Sequence, residues 1–460
     1  MFLLYDIIYC GGMYMIYVRD ILRICDGILY SGNEDIKCIN FTKDTRTLNT
    51  GDVYVGIKGE VFNGNNFYKE AFDKGASVCI LDRDTIIDDK YNNKTIVLVD
   101  DTIKAIQELA KYKRSLYDIP VIAVTGSVGK TSVKDIINHV VSSQYKTLCT
   151  SGNMNNHIGV PLTILGLNDH EVLIVEMGMN HFGEIHTLSN IAKPTIGVIT
   201  NIGTAHIGIL GSRENILKAK LEITDGMING TLIINNDNDL LRTVKYNNLI
   251  TIGIDNKSDY MAHDINDKVF SSSFYIGEEY INIPVGSMAF VYNSLFAYAV
   301  GKKLGISDEK IVKALESFKL TEHRLELIEH KNYRIIDDTY NASLDSVNNA
   351  LSMLSKVKGR KVFIFGDILE LDEFAKDIHK EVGNSVLNNH IDVLITVGEN
   401  AKETYSVVYD NNVEAYHYDN NSDMLKEIDD IIDHGDTILV KGSHGMKLIE
   451  VVEHLKNHKD

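Results

Sequence analysis

Gly126-Ser127-Val128-Gly129-Lys130-Thr131-Ser132 stands between an apolar run, VIAVT at 121–125, and an amphipathic stretch, KTSVKDIINHVVSS at 130–143. Small residues at a strand-to-helix turn let backbone N–H groups point inward at phosphate oxygens. Lys130 is then placed to reach the terminal phosphates of a nucleotide, and the Thr131 hydroxyl to ligate Mg²⁺. Against the general GxxxxGK pattern the first glycine position is Val124, so this is the shorter TGxxGKT form. The chemistry it predicts is a grip on the phosphate tail of a nucleotide and its Mg²⁺. The bland alternative is a Gly-rich turn without a ligand, and the strand and helix flanking it argue against that.

Further along lie residues that a phosphate-bound divalent cation would need. Glu176 ends the run VLIVE, where a buried strand delivers a carboxylate to its sheet edge; hard cations take such oxygen ligands. A strand-end Glu that only caps a loop is the alternative. His206, in NIGTAH at 201–206, follows the run TIGVIT and is either a ligand at that edge or a packing residue. Lys220, in ENILKAKLE, falls on an expected helix, where sequence physics alone makes it a solvated surface charge. Asn153, Asn155, Asn156 and Gly159 form a polar turn that either lines a pocket or shapes a loop.

The elements that must position these groups fall into three textures. Residues 15–100 mix short apolar runs (VYVGI, SVCIL, TIVLV) with the turn-forming NGNN at 63–66, which predicts a small α/β domain. TIKAIQELAKYKRSL at 102–116 has helical spacing and reads as a connector. From 101 to 325, apolar strands followed by helices predict a parallel sheet covered on both faces. From 326 to 460 the runs YRIID, KVFIFG, DVLITVG and DTILVKG alternate with helical segments, which predicts a second, Rossmann-like doubly wound domain. The fold class is therefore α/β in three domains. The paired asparagines at 92–93, 247–248, 411–412 and 420–421 read as loops.

The chain has 460 residues and a formal net charge of −18, with 46 basic against 64 acidic residues. Nonspecific nucleic-acid binding depends on neutralising phosphates with Lys and Arg, so this balance argues against it. Five scattered cysteines without a CxxC pair suit a reduced compartment rather than a disulfide framework or zinc site. No apolar run reaches the ~18 residues of a membrane-spanning helix. The apolar N-terminus carries Asp6 and lacks a basic leader, so residues 1–14 read as an extension and the protein as cytoplasmic.

Nine blocks in one order resemble the Mur ligase family: DTRTLNTGDVYVGIKGE, TGSVGKTS, GNMNNHIGVPLT, EMGM, NIGTAHIGILGS, AKLEI, DDTYNAS, FGDILEL and VKGSHGMK. The FGDILEL block followed by His379 is similar to the dipeptide-adding branch of that family. The resemblance implies ATP and Mg²⁺, a UDP-N-acetylmuramoyl-tripeptide as carboxylate, D-alanyl-D-alanine as amine, and a monomer. A sibling ligase that adds the third peptide residue and a folylpolyglutamate synthase are the nearest rivals. FGDILEL disfavours the first and the DTR-bearing first domain the second. A GTPase switch would need an NKxD element, which the sequence lacks, and a binding protein with decayed catalysis would not keep Lys130, Thr131, Glu176, His206 and Lys220.

Residue by residue, the resemblance assigns Lys130 and Thr131 to the phosphates and Mg²⁺, and Glu176 and His206 to magnesium. Lys220 matches a lysine that takes up CO₂ as a carbamate. Asn293 matches a nucleotide contact, Arg324 an arginine near the γ-phosphate, and Asp338 an acid that meets the ribose. Asp44, Thr45, Arg46, Asn155, Asn156, Tyr340 and Asn341 fall at substrate-binding positions. The chain departs from the family pattern at Ser287 and Ala289, at Ser343-Leu344 after DDTYNA, at Asp372 and at His444.

Overall fold

The computed structural model describes residues 9–10, 13–59, 62–320, 323–411 and 413–458. Residues 1–8 and 11–12 of the N-terminal extension lie outside this set; Tyr9–Cys10 pairs antiparallel with Met13–Tyr14. Backbone packing divides the chain into two units. One holds Met1–Thr125, Gln144–Val198 and Ala219–Leu232; the other holds Gly126–Ser143, Ile199–Lys218 and Ile233–Asp460.

In the first unit, a five-stranded sheet runs in the order Ile28–Ser31, Thr95–Val99, Val78–Asp82, Val53–Val55, Phe41–Thr42. Only the Ile28–Ser31 pairing is antiparallel. Its core is aromatic: Tyr54, Tyr68, Phe72 and Tyr91 pack with Cys79 and Leu81. Asp101 caps the helix Thr102–Ser115 by accepting from the N–H groups of Ile103 and Lys104, and the helix buries Ala105, Ile106, Leu109 and Ala110. The strands Thr147–Cys149, Val172–Glu176 and Val121–Thr125 follow, parallel and adjacent in that order. Every residue of the last two is buried, which is why they read as unbroken apolar runs. Val124 sits opposite Glu176 in register, so the carboxylate reaches the sheet edge one residue before Thr125 ends its strand.

In the second unit, the strands Leu249–Gly253, Tyr260–Asp267, Ser272–Ile276 and Glu279–Ile283 are adjacent in sequence order. The last three are antiparallel, where a parallel sheet was expected throughout this stretch. The reason is local. Gly277, at φ +60°, opens a two-residue turn between Ile276 and Glu279, a conformation that glycine adopts without a Cβ penalty and that sends the chain straight back. Phe274, Ile276, Ile281 and Ile283 face the core while Tyr275 and Tyr280 stay exposed. The helix Met288–Lys303 is apolar nearly all round and is buried accordingly.

The last third forms a six-stranded sheet in the order Glu326–Glu329, Arg334–Asp338, Thr437–Lys441, Lys361–Gly366, Val393–Val397, Glu414–Tyr418. All its pairings are parallel except the first. Side-chain alternation puts Ile336, Phe363, Phe365 and Leu439 in one core and Ile335, Val362, Ile364, Ile438 and Val440 in the other, so both faces are covered as a doubly wound sheet requires. Of the paired asparagines, Asn421 is not a loop residue but opens the helix Asn421–Met424, which the bend residue Asn420 caps by accepting from Asp423 N. Asn412 lies outside the described residues.

Candidate nucleotide and metal centre

The glycine turn is held from the second unit's own NIGTAH segment. Ser127 N donates to Asn201 O at 3.1 Å and Val128 N to Asn201 Oδ1 at 2.9 Å. Thr200 Oγ1 donates to Val128 O at 2.6 Å, and Gly203 N donates to Ser127 Oγ at 3.0 Å. A Cβ on Gly126 would lie 1.8 Å from Thr200 Oγ1, so the close approach demands glycine there. Gly129, at φ +78°, opens the helix Lys130–Val141. Its N-terminus therefore follows the turn directly, with Ser132 in the first helical turn and the Thr131 side chain buried. Lys130 Nζ folds back onto the carbonyls of Gly126 at 2.9 Å and Ser127 at 3.4 Å. Because Ser127 N and Val128 N are engaged by Asn201, the feature here that suits an anion is the N-terminus of the helix Lys130–Val141.

His206 follows on the same segment at φ +65°, a left-handed backbone that a non-glycine residue adopts at a cost, as functional sites often do. Its Nδ1 lies 3.5 Å from Glu370 Oε2, on the FGDILEL loop. A carboxylate beside one ring nitrogen orients the ring and directs the other nitrogen away. Asp345, in the first turn of the helix Leu344–Leu354, lies against the same segment. A Cβ on Gly203 would sit 2.1 Å from Asp345 Oδ2. That oxygen is buried without a hydrogen-bond partner among the described residues, and burial raises the carboxyl above its ordinary range.

In the first unit, Glu176 is 1% exposed. Asn155 Nδ2 donates to its Oε1 at 2.7 Å, and Glu176 N donates to Thr150 Oγ1 at 3.1 Å. Oε2 is buried with no hydrogen-bond partner among the described residues. A buried carboxylate oxygen left unpaired is costly, and a hard cation is the ligand that would satisfy it. The donor set therefore fits magnesium. Lys220, on the helix Arg213–Leu221, is 1% exposed. This corrects the reading of it as a solvated helix charge: the side chain points into the protein. Asn156 is a loop former, its Oδ1 accepting from Ile158 N and Gly159 N at the start of the helix Gly159–Leu165.

In the C-terminal sheet Asp338 and Lys441 sit opposite one another at the ends of neighbouring parallel strands. Lys441 Nζ reaches Asp338 Oδ2 at 2.6 Å and the carbonyl of Asn341 at 3.0 Å. Burial nevertheless holds the Asp338 carboxyl above its ordinary range, against the pull of Lys441 and Arg324. The Arg324 guanidinium lies 3.8 Å above the Tyr340 ring. Asn293 is buried on the helix Met288–Lys303, and a Cβ on Gly129 would lie 3.9 Å from its Oδ1. In the first domain Asp44 grips Arg46 at 2.6 Å, which lowers the Asp44 carboxyl to about 2. The neighbouring Thr45 Oγ1 donates to Glu70 at 2.9 Å.

Sequence reasoning did not single out Lys441, Asn201, Asp345 or Glu370. Lys441 carried the same signal as Glu176, a charge closing a fully apolar strand. Glu370 and Asp345 reach other segments of the chain and carried no local signal. His379, by contrast, is structural: Ile368 N donates to its Nε2 at 3.1 Å and its Nδ1 faces Ala375 O at 2.7 Å, so it holds the FGDILEL loop from behind.

Residues 124–301 match the Mur ligase middle domain, and residues 323–444 the Mur ligase glutamate ligase domain. The UDP-N-acetylmuramoyl-tripeptide–D-alanyl-D-alanine ligase of Bacillus subtilis is 36% identical over 448 residues, covering 95% of this chain and 98% of that protein. The crystal structure of MurF from Acinetobacter baumannii superposes with a TM-score of 0.88 at 28% identity, covering 97% of this chain and 100% of that one. The MurF ligase of Thermotoga maritima, solved in complex with ADP, gives 0.78 at 27% identity over 91% and 97% of the two chains.

Proposed function

The chain belongs to the Mur ligase family, and from that premise we propose that it joins D-alanyl-D-alanine to a UDP-N-acetylmuramoyl-tripeptide at the expense of ATP, in the cytoplasm, as a monomer. The observation that carries the chemistry is Glu176 Oε2, a buried carboxylate oxygen with no hydrogen-bond partner among the described residues, on a strand end in register with Val124. The choice of dipeptide rests on full-length likeness to ligases of that name. In this reading residues 15–100 hold the UDP-sugar, 101–325 the nucleotide and 326–460 the dipeptide side of the reaction. Among the described residues no helix is long and apolar enough to cross a membrane.

The chain's own groups divide the work. The N-terminus of Lys130–Val141 binds the triphosphate, joined by the turn's N–H groups once Ser127 and Val128 exchange Asn201 for phosphate oxygens. Lys130 exchanges its hold on the Gly126 and Ser127 carbonyls for the terminal phosphate. Arg324 and Asn293 orient the nucleotide, and Asp338, fixed by Lys441, accepts from its ribose hydroxyls. Thr131, Glu176, His206 and a carbamylated Lys220 would hold magnesium, which when bound offsets charge on the transferring phosphoryl group. Asp44, Thr45, Arg46, Asn155, Asn156, Tyr340 and Asn341 line the paths of the other substrates.

The tripeptide carboxylate oxygen attacks the γ-phosphorus and the bond to ADP breaks, giving an acyl phosphate. The dipeptide amine attacks the acyl carbon, loses a proton, and phosphate leaves with the oxygen that had been the carboxylate's. Phosphate release from ATP should require both UDP-N-acetylmuramoyl-tripeptide and D-alanyl-D-alanine. Release supported equally by a single diamino acid with a dipeptide acceptor would instead identify a sibling ligase.

A further inference from the structure

Three metal-type donors converge where the proposed reaction has no use for them. Asp429 lies on the short helix Ile428–Ile431, and His454 lies on the C-terminal helix Ile449–Asn457, whose C-cap is His458. His454 Nε2 is 3.0 Å from Asp429 Oδ2 and 3.1 Å from Oδ1; His458 Nδ1 is 3.3 Å from Oδ1. The three ligand atoms all fall within 4.8 Å of one another. Asp429 and His458 also line a cavity of about 180 Å³ together with Asp433 and His434.

We propose that Asp429, His454 and His458 form a second divalent-metal site, for a borderline cation of the zinc class, that clips the C-terminal helix to the helix Ile428–Ile431. His454 in the last helical turn and the C-cap His458 both approach Asp429, and two imidazole nitrogens with one carboxylate oxygen make the three-ligand set that zinc accepts, with water completing the tetrahedron. Imidazole donors select such metals over magnesium, which prefers oxygen. Each side chain is about one-third exposed, at 35%, 32% and 31%, so the ion has a route in. The platform is firm, because Tyr333, another lining residue, donates its hydroxyl to Leu455 O at 2.9 Å.

Position assigns the site a structural task. Tyr333 precedes the strand Arg334–Asp338, and Asp338 ends it. At ~3.3 Å per strand residue, the clip lies roughly 16 Å from the nucleotide side of the same sheet. Metal there braces the domain from its opposite edge.

The test uses the full-length chain stripped of metal and titrated with Zn²⁺ against a chromophoric chelator, in parallel with the variant His454→Ala/His458→Ala and with Asp429→Asn. Wild type should bind one more equivalent than either variant, with a dissociation constant of about 10 μM or tighter. Its melting temperature should rise by about 5 °C at a hundredfold excess over that constant, and the variants' should not. Co²⁺ in place of Zn²⁺ should give the visible bands of a tetrahedral site in wild type alone. Equal stoichiometry in wild type and both variants, or affinity weaker than about 1 mM, would overturn the proposal.

Discussion

Asn155 Nδ2 donates to one oxygen of Glu176 at 2.7 Å and leaves the other buried and, among the described residues, without a hydrogen bond. That half-satisfied carboxylate is a site prepared for something positive. Glu176→Gln removes the charge and keeps the Asn155 bond. Turnover should fall roughly 100- to 1,000-fold, the scale of losing one preorganised electrostatic group, while the melting temperature holds or rises. A drop in stability matching the drop in activity would assign Glu176 to the fold instead.

Lys130 rests on the carbonyls of its own loop. These are partly buried hydrogen bonds from a charged donor, so Lys130→Ala should cost about 1–2 kcal/mol of stability. Turnover with saturating ATP should nonetheless fall by about two orders of magnitude or more. Steady-state kinetics beside thermal melts separates the two effects.

Lys220 is buried on its helix. As a carbamate it turns from cation to carboxylate, which suits the same cation as Glu176. Lys220→Ala should abolish turnover, and millimolar formate or acetate should restore a measurable part of it. No rescue, with normal folding, would count against the carbamate.

Asp338 and Lys441 form a buried pair in register across two strands. Removing one partner of such a pair leaves an uncompensated charge, so Lys441→Met should destabilise by about 3–5 kcal/mol. The double variant Asp338→Asn/Lys441→Met should recover most of that loss while its KM for ATP stays raised. Additive losses in the double variant would show that the two residues act separately.

His379 supplies the pH dependence. Burial lowers its pKa below the usual 6.5, and its Nε2 must stay unprotonated to accept from Ile368 N. The folded state thus binds fewer protons than the unfolded one. Its contribution is complete above about pH 6.5 and is lost as the pH falls through the depressed folded value. Melting temperature between pH 8 and 5.5 should drop more for wild type than for His379→Gln, which starts lower. Parallel slopes would exclude His379 as the titrating group.

How far the sequence carried is clear from particular residues. Strands such as Val121–Thr125 and Lys361–Gly366 were legible because both sheet faces are covered and their central positions are all apolar. The hairpins from Tyr260 to Ile283 were not, since their alternation of core and exposed positions is diluted by tyrosines and acids. The glycine turn announced itself through local spacing, whereas the groups bracing it, Thr200 and Asn201, act over more than 70 residues. Lys220 looked solvated because helical position says nothing about which face is buried. Asn156 read as either a pocket or a loop residue because a side chain that shapes a turn, as its Oδ1 does for Ile158 N and Gly159 N, and one that binds a ligand have the same composition.

The central claim is that ATP energises the tripeptide's carboxylate directly. Tripeptide carrying ¹⁸O in its terminal carboxylate should pass one labelled oxygen to the phosphate released during ligation, with ADP as the other product. Unlabelled phosphate, or label appearing in AMP, would contradict the acyl phosphate and with it the roles given to Lys130 and Glu176.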